Sequence, residues 1–329
     1  MARRQPRPRA EPPRPRGRAT EADGPTLLEL ERFSHASLEK WLQVAEQLGR
    51  LQSALHFGLE SARRECDPEI LDALRAGAGG GFEFRDWSRI VDYRYSLAPL
   101  SVAGSLRTDG GRFNIGAGLS RGAFPPFPAL YLAEDYATAY LERFGQAPGA
   151  TVAGLSGAEL ALRRPNSFTQ VRVHGRLDLV LDIGDPHALK PFVDVIKEFE
   201  LPAAVALHAR RLGLRRPPGL VRSVAALQRQ LLHRHWRVLP MQFDLPANAQ
   251  VFGRLAAAAG VHGILYPSVR HAGTRCLALY PQNWRDSGSW VEVADPVPPE
   301  ARLVRLDAGT GGGGVGQGWV RLAVESGAA

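Results

Sequence analysis

Apolar residues recur every three or four positions near the start of the chain, and this spacing predicts helices. The pattern extends over residues 27–64, with Ser34 or Ser37 as a candidate N-cap between two helices. Asp67-Pro68 then predicts the start of a short helix, because proline is well tolerated in the first turn. The glycine-rich run 77–81 predicts its end.

After residue 81 the pattern changes to short runs of β-branched and aromatic residues bounded by Gly, Pro or Asp, which are typical of strands. Helical spacing returns between several of these runs, so the chain predicts a domain of mixed α and β structure. Strands are predicted at 171–173, 177–183, 238–243, 263–266 and 276–280, and helices near 135–144, 186–199, 220–233 and 247–259.

The composition excludes several classes of protein. The 329-residue chain is 44% hydrophobic and 22% charged, as expected of a globular protein with a substantial core. Its two cysteines, Cys66 and Cys276, form no C-x-x-C pair, which argues against a disulfide scaffold and a cysteine zinc site. No uncharged apolar run is long enough to cross a bilayer. We therefore expect a cytoplasmic protein with no metal site and no membrane contact.

The net charge of +8 is unevenly distributed. The Pro/Arg-rich tail at 1–24 carries +4, and its composition predicts disorder and no secretory signal. We expect this tail to be solvated, with nucleic-acid contact as the alternative. Residues 208–237, called the basic segment below, contain eight Arg and no acid, so the rest of the chain sums to −4. The basic segment is either a solvated face or a docking surface for an acidic protein, an anionic ligand or nucleic acid. The Gly-rich run at 309–318 has the composition of a flexible linker.

Four short clusters carry side chains suited to chemistry. Taken singly, each has a structural explanation: a surface ion pair for either arginine, a core position for Tyr131, a solvated helix face for Glu142 and a turn for Ser268. Their order along the chain is the more informative feature. The clusters are Tyr93-Arg94-Tyr95, the GGRFN turn at 110–114 that presents Arg112, the ALYLA strand at 129–133 followed by Thr138 and Glu142 on a helix, and Pro267-Ser268.

This arrangement resembles the RES-domain family, which is named for its Arg, Glu and Ser. The match covers roughly residues 82–296, and GGRFN followed by A-L-Y-L-A and T-A-x-x-E is its most specific part. The resemblance implies an α+β catalytic domain on a small twisted mixed sheet, similar to the fold of ADP-ribosyltransferases. A helical extension at 25–81 precedes this domain and a flexible end at 297–329 follows it. The stretch of about 145–237 is longer than in compact members, so we expect a long basic insertion there.

The resemblance also implies an activity, which is cleavage of the nicotinamide–ribose bond of NAD+ by phosphorolysis or hydrolysis. Many members act as the toxin of a toxin–antitoxin pair, so an antitoxin protein is an expected partner. NAD+ is then the substrate, inorganic phosphate an alternative co-substrate, and no cofactor is required. The matching catalytic positions are Glu142, Arg112 and Tyr131, and the matching NAD-binding positions are Arg94, Tyr95, Asn114 and Ser268, with Arg85 and Arg89 as competitors of Arg94.

The chemistry of NAD+ agrees with a site that contains a single carboxylate. Nicotinamide leaves as a neutral molecule, so no second acid is needed to protonate it, unlike in ordinary glycoside hydrolysis. Glu142 would stabilise the positive charge that develops on the ribose, and Arg94 and Arg112 would bind the pyrophosphate. Two alternatives stay open. One is transfer of ADP-ribose to a macromolecule, and the other is a non-catalytic module that binds nucleotide or nucleic acid.

Overall fold

The computed structural model describes residues 35–119, 124–149, 159, 168–214, 220–237 and 241–311. The predicted disordered tail at 1–24, and most of the predicted linker at 309–318, lie outside these residues. Within them, no helix is both long and apolar enough to span a membrane.

An eight-stranded mixed sheet lies at the centre of the described structure. Its strands are β1 (Phe82–Asp92), β2 (Leu130–Ala133), β3 (Phe168–Leu177), β4 (Val180–Asp182), β5 (Gly263–Pro267), β6 (Arg275–Leu279), β7 (Trp290–Val293) and β8 (Arg305–Leu306). Their order is β4-β5-β6-β2-β1-β3-β7-β8, and only the β4–β5 pair is parallel. The α+β class and the mixed sheet expected from the sequence are confirmed.

Helices pack around this sheet, and several begin where the sequence predicts. Asp135, Asp185 and Ser223 each accept a backbone N–H with the side chain and so cap a helix. The helices in the described residues are α1 (His35–Glu65), α2 (Asp67–Gly77), α3 (Ala103–Leu106), α4 (Tyr136–Phe144), α5 (Pro186–Ile196), α6 (Ala203–Arg211), α7 (Val224–Leu231), α8 (Asn248–Ala258) and α9 (Ala308–Gly311).

Side chains on both faces of the central strands are buried. On β6, Cys276 and Ala278 enter the core beneath α2, α5 and α8, whereas Leu277 and Leu279 enter a second core around Trp284. This alternation follows from the two-residue period of a strand. Because each face has its own core, the ALYLA and GILYP runs are apolar throughout instead of alternating with polar residues.

Three sequence predictions require correction. Residues 238–240 of the predicted strand 238–243 lie outside the described residues, and residues 241–243 form a single 3-10 turn and not a strand, which Asp244 ends with a φ of 55°. The predicted strand 177–183 is divided by a short turn into the end of β3 and the short β4. The described part of 27–64 is one continuous helix, α1, without a break at Ser37.

The strand β1 is the longest in the sheet, and its bounds are not evident from the pattern. A bulge at Asp86, which has a φ of 56°, puts Phe84 and Trp87 on the same side although they are three residues apart. The bulge breaks the regular alternation that would identify the strand. Both β3 and β4 come from the stretch 145–237, so that stretch contributes strands to the central sheet as well as the basic segment.

Candidate functional site

The GGRFN turn is held together by Asn114, which is completely buried. Its Oδ1 accepts from the backbone N–H of Gly111 at 2.8 Å, and its Nδ2 donates to the carbonyls of Ser105 at 2.8 Å and Phe127 at 3.0 Å. Gly110 has a φ of 88°, a conformation that favours glycine. The amide of Asn114 is thus occupied within the protein, and its role in this structure is to shape the turn that carries Arg112.

Tyr131 on β2 joins the same turn through its hydroxyl. The oxygen accepts from the N–H of Phe113 at 2.9 Å, and the hydroxyl donates to Oδ1 of Asn114 at 2.9 Å. A Cβ at position 111 would lie 2.4 Å from this hydroxyl, which explains the glycine there. Burial raises the pKa of Tyr131, so its phenol is neutral at physiological pH.

A residue that sequence reasoning missed supports the turn from the other side. The Nε2 of Gln250, a fully buried residue on α8, donates to the carbonyls of Asp109 at 2.7 Å and Asn114 at 3.0 Å. Gly253, one turn further along α8, allows close contact, because a Cβ there would lie 2.2 Å from the carbonyl of Phe113. The sequence signal for Gln250 is a polar residue among the apolar residues of α8.

Arg112 projects from this turn into a buried position. Its Nη1 donates to the carbonyls of Leu231 and His233, both at 3.0 Å. Burial lowers the pKa of Arg112, and the negative charge of Glu142 partly opposes this effect. The turn therefore presents a cation within electrostatic range of the predicted catalytic carboxylate.

Glu142 and Ser268 form the second half of the site. The Ser268 hydroxyl donates to Oε1 of Glu142 at 2.7 Å and accepts from the backbone N–H groups of Arg270 at 3.2 Å and His271 at 3.1 Å. Since a hydroxyl has one hydrogen and two lone pairs, these three bonds occupy it fully. Ser268 therefore orients Glu142, whereas the sequence led us to expect a bond from Ser268 to the substrate. Oε2 of Glu142 lies 3.9 Å from Nε of Arg270.

A second set of hydrogen bonds joins the loop 268–274 to α4. Oγ1 of Thr138, one helical turn before Glu142, lies 2.7 Å from Nδ1 of His271 and donates to Oγ1 of Thr274 at 3.0 Å. Thr274 in turn donates to the carbonyl of His271 at 2.8 Å. These bonds fix the loop against the helix that carries the carboxylate.

Tyr266 on β5 and Cys276 on β6 form the buried floor of the site. Burial raises the pKa of both groups, and the charge of Glu142 raises them further. Both are therefore neutral at physiological pH, and Glu142, Arg112 and Arg270 provide the charges at this position. The apolar residues of the two strands predicted burial, but they did not indicate that Tyr266 and Cys276 lie near Glu142.

Arg94 and Tyr95 are placed differently from the other predicted site residues. Arg94 is exposed on a 3-10 turn after β1, with its guanidinium 5.8 Å from the centre of the Tyr95 ring. Among the described residues, no hydrogen bond or ion pair joins Arg94 to Glu142, Ser268 or Arg112. The hydroxyl oxygen of Tyr95 is buried, and no described residue forms a hydrogen bond with it.

Arg89, the competitor of Arg94, is half-buried on β1, and its guanidinium donates to backbone carbonyls. It donates to the carbonyls of Pro99 at 2.8 Å, Ser101 at 2.8 Å and Tyr131 at 3.2 Å. Burial, reinforced by the charge of Arg143, lowers its pKa to about 10. Arg89 therefore connects the loop after β1 to β2, next to the site.

Comparisons with known proteins give one family and one solved structure. The model of a family described as RES domain matches residues 86–301. A structure described as the crystal structure of the M. tuberculosis MbcT–MbcA toxin–antitoxin complex is 15% identical, with a TM-score of 0.37. That similarity covers 70% of this chain and 91% of the other. No curated protein matches the chain.

Proposed function

The chain belongs to the RES-domain family, as the sequence predicts, and we propose that it cleaves the nicotinamide–ribose bond of NAD+. The observation that carries the proposal is the Glu142 carboxylate, which Ser268 holds by one oxygen at 2.7 Å. The side chain of Glu142 is 22% exposed, so a ligand can reach it, while the groups beneath it are buried. A fixed, accessible carboxylate over a buried floor is the feature that this reaction requires.

The proposed reaction breaks one bond and forms one. The bond between the anomeric carbon of the ribose and the pyridinium nitrogen breaks, and its electron pair goes to the nitrogen, so nicotinamide leaves neutral. The ribose becomes cationic as this bond lengthens, and the negative charge of Glu142 stabilises that cation. An oxygen of water or inorganic phosphate then bonds to the anomeric carbon. When water attacks, its proton passes to the solvent.

The surroundings of Glu142 strengthen its effect on this reaction. Tyr131, Tyr266 and Cys276 stay neutral because burial raises the pKa of each, so none of them adds a competing negative charge. Their burial also lowers the local dielectric constant, in which an electrostatic interaction is stronger than in water. Arg112 supplies a cation for the phosphates of the dinucleotide.

The experiment is incubation of the purified chain with NAD+, with and without inorganic phosphate, followed by chromatography of the products. We expect release of nicotinamide. Free ADP-ribose without phosphate indicates hydrolysis, and a phosphorylated ADP-ribose that appears only with phosphate indicates phosphorolysis. Absence of nicotinamide release under both conditions would contradict the proposal. Label retained on a macromolecule would instead identify ADP-ribosyl transfer.

We also propose that NAD+ cleavage makes the protein a toxin with a cognate antitoxin, as the family resemblance implies. Loss of NAD+ stops metabolism, so induced expression of the active chain should arrest bacterial growth and lower cellular NAD+. The Glu142→Gln variant, expressed to the same level, should do neither. Growth arrest by both proteins would separate toxicity from catalysis and contradict this role.

A further inference from the structure

The end of the basic segment lies against Arg112. The guanidinium carbon of Arg112 is 5.6 Å from the ring centre of Trp236, and that of Arg237 is 4.8 Å from the same ring. Distances of this size allow a cation–π interaction, which is strongest for tryptophan. The indole of Trp236 therefore contacts both guanidinium groups, each of which lies within about 6 Å of its ring centre.

Arg112 keeps part of its hydrogen-bonding capacity in this arrangement. A guanidinium has five N–H groups, and the carbonyls of Leu231 and His233 occupy the two on Nη1. The three hydrogens on Nε and Nη2 remain, and no described residue accepts from them. The basic segment thus fixes the orientation of Arg112 and leaves a donor edge for a ligand.

Arg237 is exposed, yet its charge reaches the same site. Burial raises the pKa of Tyr131, and the charges of Arg112 and Arg237 both act in the opposite direction. Both guanidinium groups therefore act on the phenol that joins the GGRFN turn. Within the described ranges, no carboxylate lies at ion-pairing distance from either guanidinium. Two like charges that share one ring and have no anion in ion-pairing contact repel each other, and a ligand with two negative charges would remove that cost.

We propose that Arg112 and Arg237, held together on the ring of Trp236, form the binding site for the pyrophosphate of the dinucleotide. This inference rests on the proposed function and deepens it, because it assigns the second phosphate-binding cation to Arg237 in the basic segment instead of Arg94. Guanidinium groups fit the paired oxygens of phosphates in a bidentate manner. Trp236 is a positioning residue, since it acts through the two arginines.

The test is calorimetric binding of two probes, inorganic pyrophosphate and ADP-ribose, to the full chain. We expect Arg237→Ala and Trp236→Ala each to raise Kd for both probes roughly tenfold, the size of one desolvated cation–π or charge-assisted contact. The double variant should be little weaker than either single variant, because both changes remove the same site. Trp236→Phe should restore most of the affinity.

Two matched control variants distinguish loss of this site from a general loss of positive charge or of packing. Arg234→Ala removes the same charge from the same segment, at an exposed residue with no described contact to Trp236. Trp290→Ala removes another tryptophan that lies under an arginine, Arg305, at 4.8 Å on β7. Both controls should keep Kd within about twofold of the starting protein.

Steady-state kinetics give a second measurement. Arg237→Ala and Trp236→Ala should raise KM for NAD+ with little change in kcat, because they weaken binding of a part of the substrate that does not react. Unchanged Kd in these variants, or an equal loss in Arg234→Ala, would overturn the inference, as would a starting protein that binds neither probe. Binding without any NAD+ cleavage would contradict the proposed function and support the anion site.

Discussion

The hydroxyl of Ser268 donates to the carboxylate of Glu142 at 2.7 Å, although the two residues are 126 positions apart. This bond joins the loop after β5 to the last turns of α4. Two backbone N–H groups of the loop complete the bonding of the hydroxyl. Ser268 thus orients the carboxylate of Glu142, which meets the substrate in the proposed reaction.

Glu142→Gln should lower kcat for NAD+ cleavage by roughly 10²–10³, because it removes the charge that stabilises the ribosyl cation and keeps the shape of the side chain. Nicotinamide release measures this effect. Glu134→Gln is the matched control, since Glu134 pairs with Arg275 at 2.9 Å outside this bonding network. Full activity in Glu142→Gln would rule out the assigned role, provided that thermal unfolding shows both variants folded.

Ser268→Ala should lower kcat about tenfold and leave KM almost unchanged, because Glu142 loses its fixed orientation but keeps its charge. The variant should also lose roughly 1–2 kcal/mol of stability, since two loop N–H groups lose their acceptor. Ser287→Ala serves as the control, because the Ser287 hydroxyl also accepts a backbone N–H in a turn. A rise in KM alone would indicate direct contact between Ser268 and the substrate.

Asn114→Ala should reduce the free energy of unfolding by about 3 kcal/mol or more, because it leaves the Gly111 N–H and two carbonyls without their buried partner. Urea denaturation measures this loss. Asn248→Ala, at an exposed amide on α8, should change stability by less than about 0.5 kcal/mol. A stable Asn114→Ala variant with a raised KM would favour the ligand contact expected from the sequence.

His56 should make the protein less stable at mildly acidic pH. Burial and the charge of Arg63 lower its pKa to about 4, while Glu60 opposes them. The unfolded chain therefore binds a proton near pH 6.5, which the folded chain accepts only near pH 4. The stability that neutral His56 contributes is fully present above pH 6.5. It is lost as the pH falls from 6.5 to about 4, and the loss is on the order of 2 kcal/mol because the side chain is partly exposed.

The measurement is the free energy of unfolding at pH 7.5 and pH 5, for the starting protein and for His56→Gln. The variant should lose the part of the pH dependence that His56 contributes. His187, an exposed residue in the first turn of α5, provides the control substitution His187→Gln. An identical pH profile for all three proteins would mean that His56 is protonated equally in the folded and unfolded states.

Much of the fold could be predicted from local rules, because local interactions determine those features. Asp67-Pro68 and Gly77 bound α2 as expected, and Asp135 caps α4. The bulge in β1 is different, since it arises from pairing with β3, which is distant in sequence. A strand whose alternation is interrupted by its partner has no regular local pattern.

For the site, the residue types and their order were sufficient to predict the family and to select Arg112, Glu142 and Ser268. The sequence by itself determined the GGRFN turn, because glycine is needed at a φ of 88°. Only the tertiary structure decided which side chains have all their hydrogen bonds within the protein, as Asn114 and Ser268 do, and which keep N–H groups that no described residue accepts from, as Arg112 does. A hydrogen-bonding group finds its partners among the residues that surround it in the folded protein. The spacing of residues along the chain does not show which distant residues become its neighbours.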